Sequence, residues 1–402
     1  MIGGGILGLS TALALAEAGR GVAVLEAADI GHGASGRNGG LVVPSLPRVG
    51  PDDVLRSMGE ERGGRFVQTV LGAPNEVFAL IRRYAIQCGA EQSGWLNPAH
   101  GPALVAVLQR RLAGWQRFGG TATLLSRDET RHRTGSALYH AAIADPTGGH
   151  LNPLSYTRGL ARAAGDAGAL VFQQSPVLRV DRHAGRWRLV TLHGTVIAAQ
   201  VVQATNAQPP GTPGTEAVAR STVPLNIFQL ATQVLPPEAR TILPGGEALS
   251  DTRNNLFACC VDCSGRIVTG GMAPITQMWA RDWLPGLLSR RLARIFPQIG
   301  AVRFDYVWSG RAALTPDFLP RMFEVGPNWI VPFTCNGRGL ALSTAIGGRI
   351  GRWLATGDPA ILPLVSTAPA PIRLHALASR LPQMLLPVGM IADARNGRHS
   401  QD

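Results

Sequence analysis

The run Gly3-Gly4-Gly5-Ile6-Leu7-Gly8 constrains this chain more than any other stretch, because helix, strand and acid succeed it in order. A G-x-G-x-x-G pattern alone also suits an ordinary turn. Here residues 10–18 read as a helix, Gly19 is placed to end it, and Val22, Ala23, Val24 and Leu25 read as a buried strand. Glu26 closes that strand, close to where an acid hydrogen-bonds a ribose hydroxyl in dinucleotide sites. Gly3, Gly5 and Gly8 then serve a tight turn, a close approach of backbone to pyrophosphate, and close helix–strand packing. The N-terminus of the helix that follows, with its partial positive charge, then faces the phosphates. The pattern predicts dinucleotide binding by a Rossmann-like unit. Such a fingerprint normally follows a strand of about five or six apolar residues, and only Met1 and Ile2 precede Gly3. The expectation is a native start upstream of Met1.

Composition narrows the class. A chain of 402 residues suits a two-domain enzyme, and 45% hydrophobic with 16% charged residues excludes a disordered chain. All 38 basic residues are arginine, with no lysine, and the formal net charge is +12. The arginines lie singly or in pairs such as Arg82-Arg83 and Arg290-Arg291, with no basic run interleaved with aromatics, which argues against nucleic acid. Cys259, Cys260 and Cys263 cluster, but no second Cys or His pair stands at ligand spacing, so small buried hydrophobes are expected there rather than a metal. The apolar opening lacks a basic n-region and is interrupted by Glu17 and Arg20, so it does not read as a signal peptide. No other stretch approaches a membrane span. The expectation is a cytoplasmic protein with no transmembrane segment.

After Glu26 comes Gly31-His32-Gly33-Ala34-Ser35-Gly36-Arg37-Asn38-Gly39-Gly40. A domain that binds only NAD has no need of this long loop, whereas a flavin must be threaded past backbone down to its ring. With this string the sequence resembles the FAD-dependent D-amino acid oxidase-like superfamily. The resemblance continues through Gly148-Gly149-His150-Leu151-Asn152-Pro153, Ser175-Pro176-Val177, and Val201-Val202-Gln203-Ala204-Thr205-Asn206-Ala207. It ends in Val307-Trp308-Ser309-Gly310 with Thr315, Asp317 and Pro320, then Asn336-Gly337-Arg338-Gly339-Leu340-Ala341. It implies an α/β fold, with a Rossmann-like FAD-binding domain interleaved with an α+β substrate domain built on an antiparallel sheet. Residues 1–50, 146–220 and 305–402 would bind FAD, and 51–145 and 221–304 would form the substrate domain. Within the second domain, helices are expected over 65–86, 102–118 and 284–296, and strands over 227–234 and 266–269. Helix is also expected over 154–164, and 391–402 reads as a loose tail.

The resemblance also implies the chemistry. FAD, held noncovalently, accepts a hydride at N5 from the carbon beside an amine nitrogen, and the imine hydrolyses. The substrate would be a small-molecule amine or amino acid, and the electron acceptor oxygen or a quinone. Gly3, Gly5, Ile6, Leu7, Gly8, Glu26, Ser35, Arg37, Asn38, Gly39, Gly40, Val177, Thr205, Asn206, Gly310, Asn336, Gly337, Gly339, Leu340 and Ala341 would contact the cofactor. Arg338 stands where relatives often carry histidine, and is expected to place a cation at the N1–C2=O edge of the flavin; the alternative is that it turns to a surface carboxylate. Arg48 or Arg253 could bind a substrate carboxylate, and Trp308, Phe257 and Trp279 could line an amine pocket. Ala341 stands where sarcosine oxidases place a carboxylate-binding lysine, and the second lysine that activates oxygen is also missing. These departures favour a dehydrogenase passing electrons to a quinone or carrier. A truncated, non-catalytic relative unable to hold FAD is a further alternative.

Overall fold

The computed structural model describes residues 1–206, 215–272 and 280–398. At the N-terminus the helix runs over Ile6–Glu17 and the following strand over Ala23–Leu25. That strand pairs in parallel with Leu170–Phe172. Met1 and Ile2 lie beside it. Ile2 N–H donates to Val202 O and Gly3 N–H to Leu25 O, both at 2.9 Å. These two residues therefore join the Ala23–Leu25 pair to a four-stranded sheet of Val201–Val202, Trp329–Phe333, Arg321–Gly326 and Ser366–Thr367. Val201–Val202 and Trp329–Phe333 run parallel.

Helix Gly339–Thr356 packs against Ile6–Glu17, with Leu9, Leu13, Leu340, Ala341 and Ala345 buried in one core. Small residues at this contact let the two backbones approach closely. Helix Pro153–Asp166 starts where Asn152 accepts a hydrogen bond from Ser155 N–H, and it buries Tyr156 and Leu160 in the same core.

Above this layer lies an eight-stranded sheet, here called the roof. Its order is Phe304–Leu314, Val223–Thr232, Ile267–Met272, Ala258–Val261, Ala248–Ser250, Trp95–Pro98, Ala142–Asp145, Thr123–Leu125. Every pairing is antiparallel except Ala248–Ser250 against Trp95–Pro98. Phe304–Leu314, placed by the sequence boundary at 305 with the nucleotide segments, is hydrogen-bonded into the roof beside Val223–Thr232. Helix Ala280–Ile295 covers one face. Leu284 and Leu288 meet Phe228 and Leu230, while Leu292 and Ile295 meet Phe257 and Phe296. Their four-residue spacing puts these leucines on one helical stripe.

The other expected helices appear as Glu60–Arg83 and Val105–Gln116, the latter preceded by a short turn of helix at Pro102–Leu104. The tail is different from its expectation. Residues 391–398 belong to a helix, Leu381–Arg398. Asp393 gives the polar tail a buried anchor: its carboxylate accepts Asn254 N–H at 2.8 Å, Asn254 Nδ2 at 3.0 Å and Asn255 N–H at 3.0 Å. Residues 399–402 lie outside the described part. Among the described residues, no helix is long and apolar enough to cross a membrane.

Candidate active site

A cavity of about 1970 Å³ runs from the glycine turn to the underside of the roof. At its first end Gly3 adopts φ +101°, a region open to glycine, and a Cβ there would press to 2.8 Å from Ala204 O. A Cβ on Gly5 would come within 2.7 Å of Ser35 Oγ, which itself accepts Ile6 N–H at 3.0 Å. The first main-chain bond of the helix is Leu9 N–H to Gly5 O, and Gly3, Gly4 and Ile6 N–H are taken by Leu25 O, Glu26 and Ser35, so among the described residues Gly5 and Leu7 N–H are the ones left open toward the cavity. Glu26, at the end of its strand, accepts Gly4 N–H at 2.7 Å on one oxygen and Ala28 N–H at 3.0 Å on the other.

The long glycine loop is knitted by its own side chains. Asn38 Nδ2 donates to Ala34 O at 3.2 Å and to Ser35 O at 2.9 Å, and Asn38 Oδ1 accepts Gly40 N–H. Arg37 donates to His32 O and to Ser309 O. The loop thus lies along the cavity wall and is tied to the edge strand of the roof.

At the far end, Asn336 Oδ1 accepts Thr315 N–H at 2.7 Å and Thr315 Oγ1 at 3.1 Å, while its Nδ2 is buried with no hydrogen-bond partner among the described residues. An orphaned donor on a cavity wall is a position for an acceptor that the protein itself does not supply. With the open N–H groups and the glycine approach, the lining fits an extended, anionic, heteroatom-rich molecule such as a flavin dinucleotide.

The structure brings most of the sequence-derived residues to this one surface. Gly3, Gly5, Ile6, Leu7, Glu26, Ser35, Arg37, Asn38, Gly39, Val177, Thr205, Asn206, Gly310, Asn336, Gly337, Gly339, Leu340 and Ala341 all line it, with Arg48 and Arg338. Four others do not line it. Gly8 packs under Gly3 O, and Gly40 packs against Leu151 O. Trp308 stands behind the loop, donating from its indole to Arg37 O at 2.9 Å. Phe257 is fully buried against Phe296, with ring centroids 6.5 Å apart. Extended backbone alternates its faces, so Leu256 and Ala258 reach the cavity and Phe257 points into the core. Trp279 and Ala207 lie outside the described residues.

Arg338 does not turn to a surface carboxylate. Its guanidinium crosses to the roof side, donating to Ser45 Oγ, to Leu46 O at 3.2 Å and to Ser250 Oγ at 3.4 Å, and lies 5.1 Å from the Trp95 ring centre. Protein surrounds it, yet part of its surface stays open to the cavity. Burial, then the charge of Arg111, pushes its pKa down to about 9, so it remains cationic at neutral pH. Arg253 is committed to Asp251 in an ion pair, whereas Arg48 sits exposed over the Phe318 ring.

Arg111 was missed by the sequence reading. It is half-buried and donates to Pro47 O at 3.2 Å and Asn97 Oδ1 at 3.4 Å. Leu104, Val107, Leu108 and Arg111 all line the cavity, and their spacing of three and four residues is a helical stripe that periodicity could have marked.

Comparison with known proteins gives a consistent answer. A family model described as FAD dependent oxidoreductase, DAO, matches residues 1–353. The gamma-glutamylputrescine oxidoreductase of Escherichia coli K12 is 31% identical over 360 residues, covering 89% of this chain and 83% of that one. The probable oxidoreductase OrdL of Haemophilus influenzae is 29% identical over 370 residues, covering 89% and 82%. Among solved structures, glycine oxidase from Geobacillus kaustophilus superposes with a TM-score of 0.70 at 20% identity, covering 89% of this chain and 94% of that one, which speaks to the fold. The chain belongs to the DAO family and is an FAD-dependent oxidoreductase.

Proposed function

We propose that the protein oxidises the carbon–nitrogen bond of an amine or amino acid, with FAD held noncovalently. The observation that carries this reading is the continuity of one cavity of about 1970 Å³ from the Glu26 carboxylate to the roof. The glycine turn and the N-terminus of Ile6–Glu17 would take the pyrophosphate, and Glu26 the adenosine ribose. Val177, Thr205 and Asn206 line the adenosine side, and Ser35 to Gly40 thread the chain toward the ring. Gly310, Asn336, Gly337, Gly339, Leu340 and Ala341 would lie beside the ring itself. When bound, FAD supplies a two-electron acceptor for the hydride leaving the carbon next to the amine nitrogen, and the resulting imine hydrolyses in water.

The chain's own residues contribute position and dryness. Strand Val223–Thr232 turns Leu225, Ile227 and Gln229 to the cavity, closing it from above. Arg338 holds loop 45–46 against Ser250, so the two layers meet around the reacting end.

The name of the Escherichia coli relative supports an amine conjugate as substrate. A quinone or carrier as final electron acceptor is the reading favoured by one observation, the absence of lysine from the whole chain. Purified protein tests both. Absorbance at about 450 nm shows the flavin, and anaerobic bleaching by a panel of amines, N-methyl amino acids and D-amino acids identifies the substrate class. Peroxide release in air then separates an oxidase from a dehydrogenase. A colourless protein that takes up no added FAD, or a flavin bleached by no amine, overturns the reading.

A further inference from the structure

Three guanidinium groups, Arg48, Arg111 and Arg338, share the roof end of the cavity, and none has a carboxylate partner among the described residues. They stand at different depths: Arg48 is exposed, Arg111 half-buried and Arg338 deepest. Among the described residues their partners are neutral. Arg338 has Ser45, Leu46 O, Ser250 and the Trp95 ring; Arg111 has Pro47 O and Asn97; Arg48 has the Phe318 ring. Among the described residues, the two acidic ones on the cavity wall are both engaged elsewhere. Asp251 is ion-paired to Arg253, and Glu26 holds the glycine turn at the opposite end.

Like charges gathered in a partly dry wall repel one another, and buried cations without counter-ions are costly to keep. Each of the three also keeps cavity-facing surface, so a ligand can reach them. Planar guanidinium groups match carboxylates in fork-to-fork hydrogen bonds. One carboxylate would leave most of this charge unanswered.

We infer that Arg48, Arg111 and Arg338 form an anion-binding wall that selects substrates carrying two carboxylates, spaced to reach the rim and the deep end together. The inference rests on the amine-oxidation reading and names the substrate class within it: an amine that is also a dicarboxylate. Arg111 and Arg338 are specificity-determining residues, and Trp95, beneath the Arg338 guanidinium, is a positioning residue.

The test uses the FAD-loaded protein and four probes that lack an oxidisable amino-dicarboxylate: glutarate, butyrate, 1,4-diaminobutane and inorganic phosphate. Affinity is read by calorimetry and by the shift in melting temperature. Glutarate is expected to bind about tenfold or more tightly than butyrate or phosphate, and the diamine not at all. Arg111→Gln and Arg338→Gln should each remove most of that preference, while Arg110→Gln, on the exposed side of the same helix, should keep it. With substrates, the two variants should raise KM for amino-dicarboxylates far more than they lower kcat. Should Arg338→Gln fail to fold, Arg111→Gln decides the matter. Equal binding of glutarate and butyrate, or a preference for phosphate or diamine, overturns the inference. So does a glutarate preference undiminished in the variants. The melting shift does not require turnover, so a protein that binds glutarate yet bleaches with no amine would remove the reaction and leave the wall standing. A yellow, amine-reducible protein indifferent to glutarate would do the reverse.

Discussion

Gly4 N–H donates to Glu26 Oε2 at 2.7 Å, so the acid that ends the first strand also fixes the turn that begins the first helix. The second oxygen accepts Ala28 N–H at 3.0 Å, which leaves each oxygen one lone-pair direction for a ligand. Glu26→Ala removes both jobs. Losing a charge-assisted hydrogen bond costs about 1.5–3 kcal/mol, so FAD should dissociate about tenfold to a hundredfold more readily. Flavin retained after desalting, compared between mutant and parent, checks this; equal retention would detach Glu26 from the ribose.

Gly3→Ala should damage the same end by a different route. The added methyl meets Ala204 O at 2.8 Å, and φ +101° is strained for alanine. A backbone residue held in such a region costs about 1–3 kcal/mol. The melting temperature should fall even with FAD absent, because the strain lies in the protein. A mutant with parental stability and weak FAD binding would show that the position matters to the ligand alone.

Arg338 carries a desolvation cost that its neutral partners do not cancel. Its folded pKa of about 9 lies below the ordinary guanidinium value, mainly through burial. The cost is therefore fully present at neutral pH, and it lifts only as pH rises above about 9. Arg338→Met, which keeps an apolar stem over Trp95, should stabilise the ligand-free protein by about 1–3 kcal/mol. Calorimetric melting without ligand reads this directly. A large destabilisation would show that the bonds to Ser45 and Ser250 outweigh the buried charge.

Acid should loosen the C-terminal helix from the roof. His100 is buried, its Nδ1 2.8 Å from Thr252 Oγ1 and its Nε2 3.9 Å from the Asp393 carboxylate. Burial, then the positive charge of Arg253, pushes its pKa down to about 4, against the smaller upward pull of Asp393. The unfolded chain takes up the proton near pH 6.5, while the folded chain resists until about 4. Stability should fall as pH drops through that window. His100→Gln should flatten this part of the melting-temperature profile, and parallel profiles would place the acid sensitivity elsewhere.

Legibility in the sequence tracked local signals. The glycine turn, its helix and Glu26 are adjacent in sequence and use short-range geometry, so periodicity and turn chemistry located them. The loop from Ser35 to Gly40 was found through resemblance, and its internal bonding by Asn38 is local as well. Long-range partners were not legible. Phe257 and Ala258 are neighbours, and only the pairing of the strand that begins at Ala258 decides which one faces the cavity. Arg111 carried a helical signal but, among 38 arginines, nothing in the sequence marks it as lying near Arg338, more than two hundred positions away. The Leu381–Arg398 helix escaped notice because its anchor, Asp393, meets Asn254 and Asn255, remote residues that no local pattern connects to it.

The single parallel pairing in the roof, Ala248–Ser250 against Trp95–Pro98, stitches the two inserted segments into one sheet. Trp95 Nε1 donates to Ser250 Oγ at 2.8 Å across that seam, and Arg338 touches both residues. Substrate preference in such an architecture is not a modular cassette. A chimera that transplants one insert onto another flavin scaffold would break the sheet at its middle, so laboratory recombination of this enzyme with a homologue should succeed only when both inserts travel together.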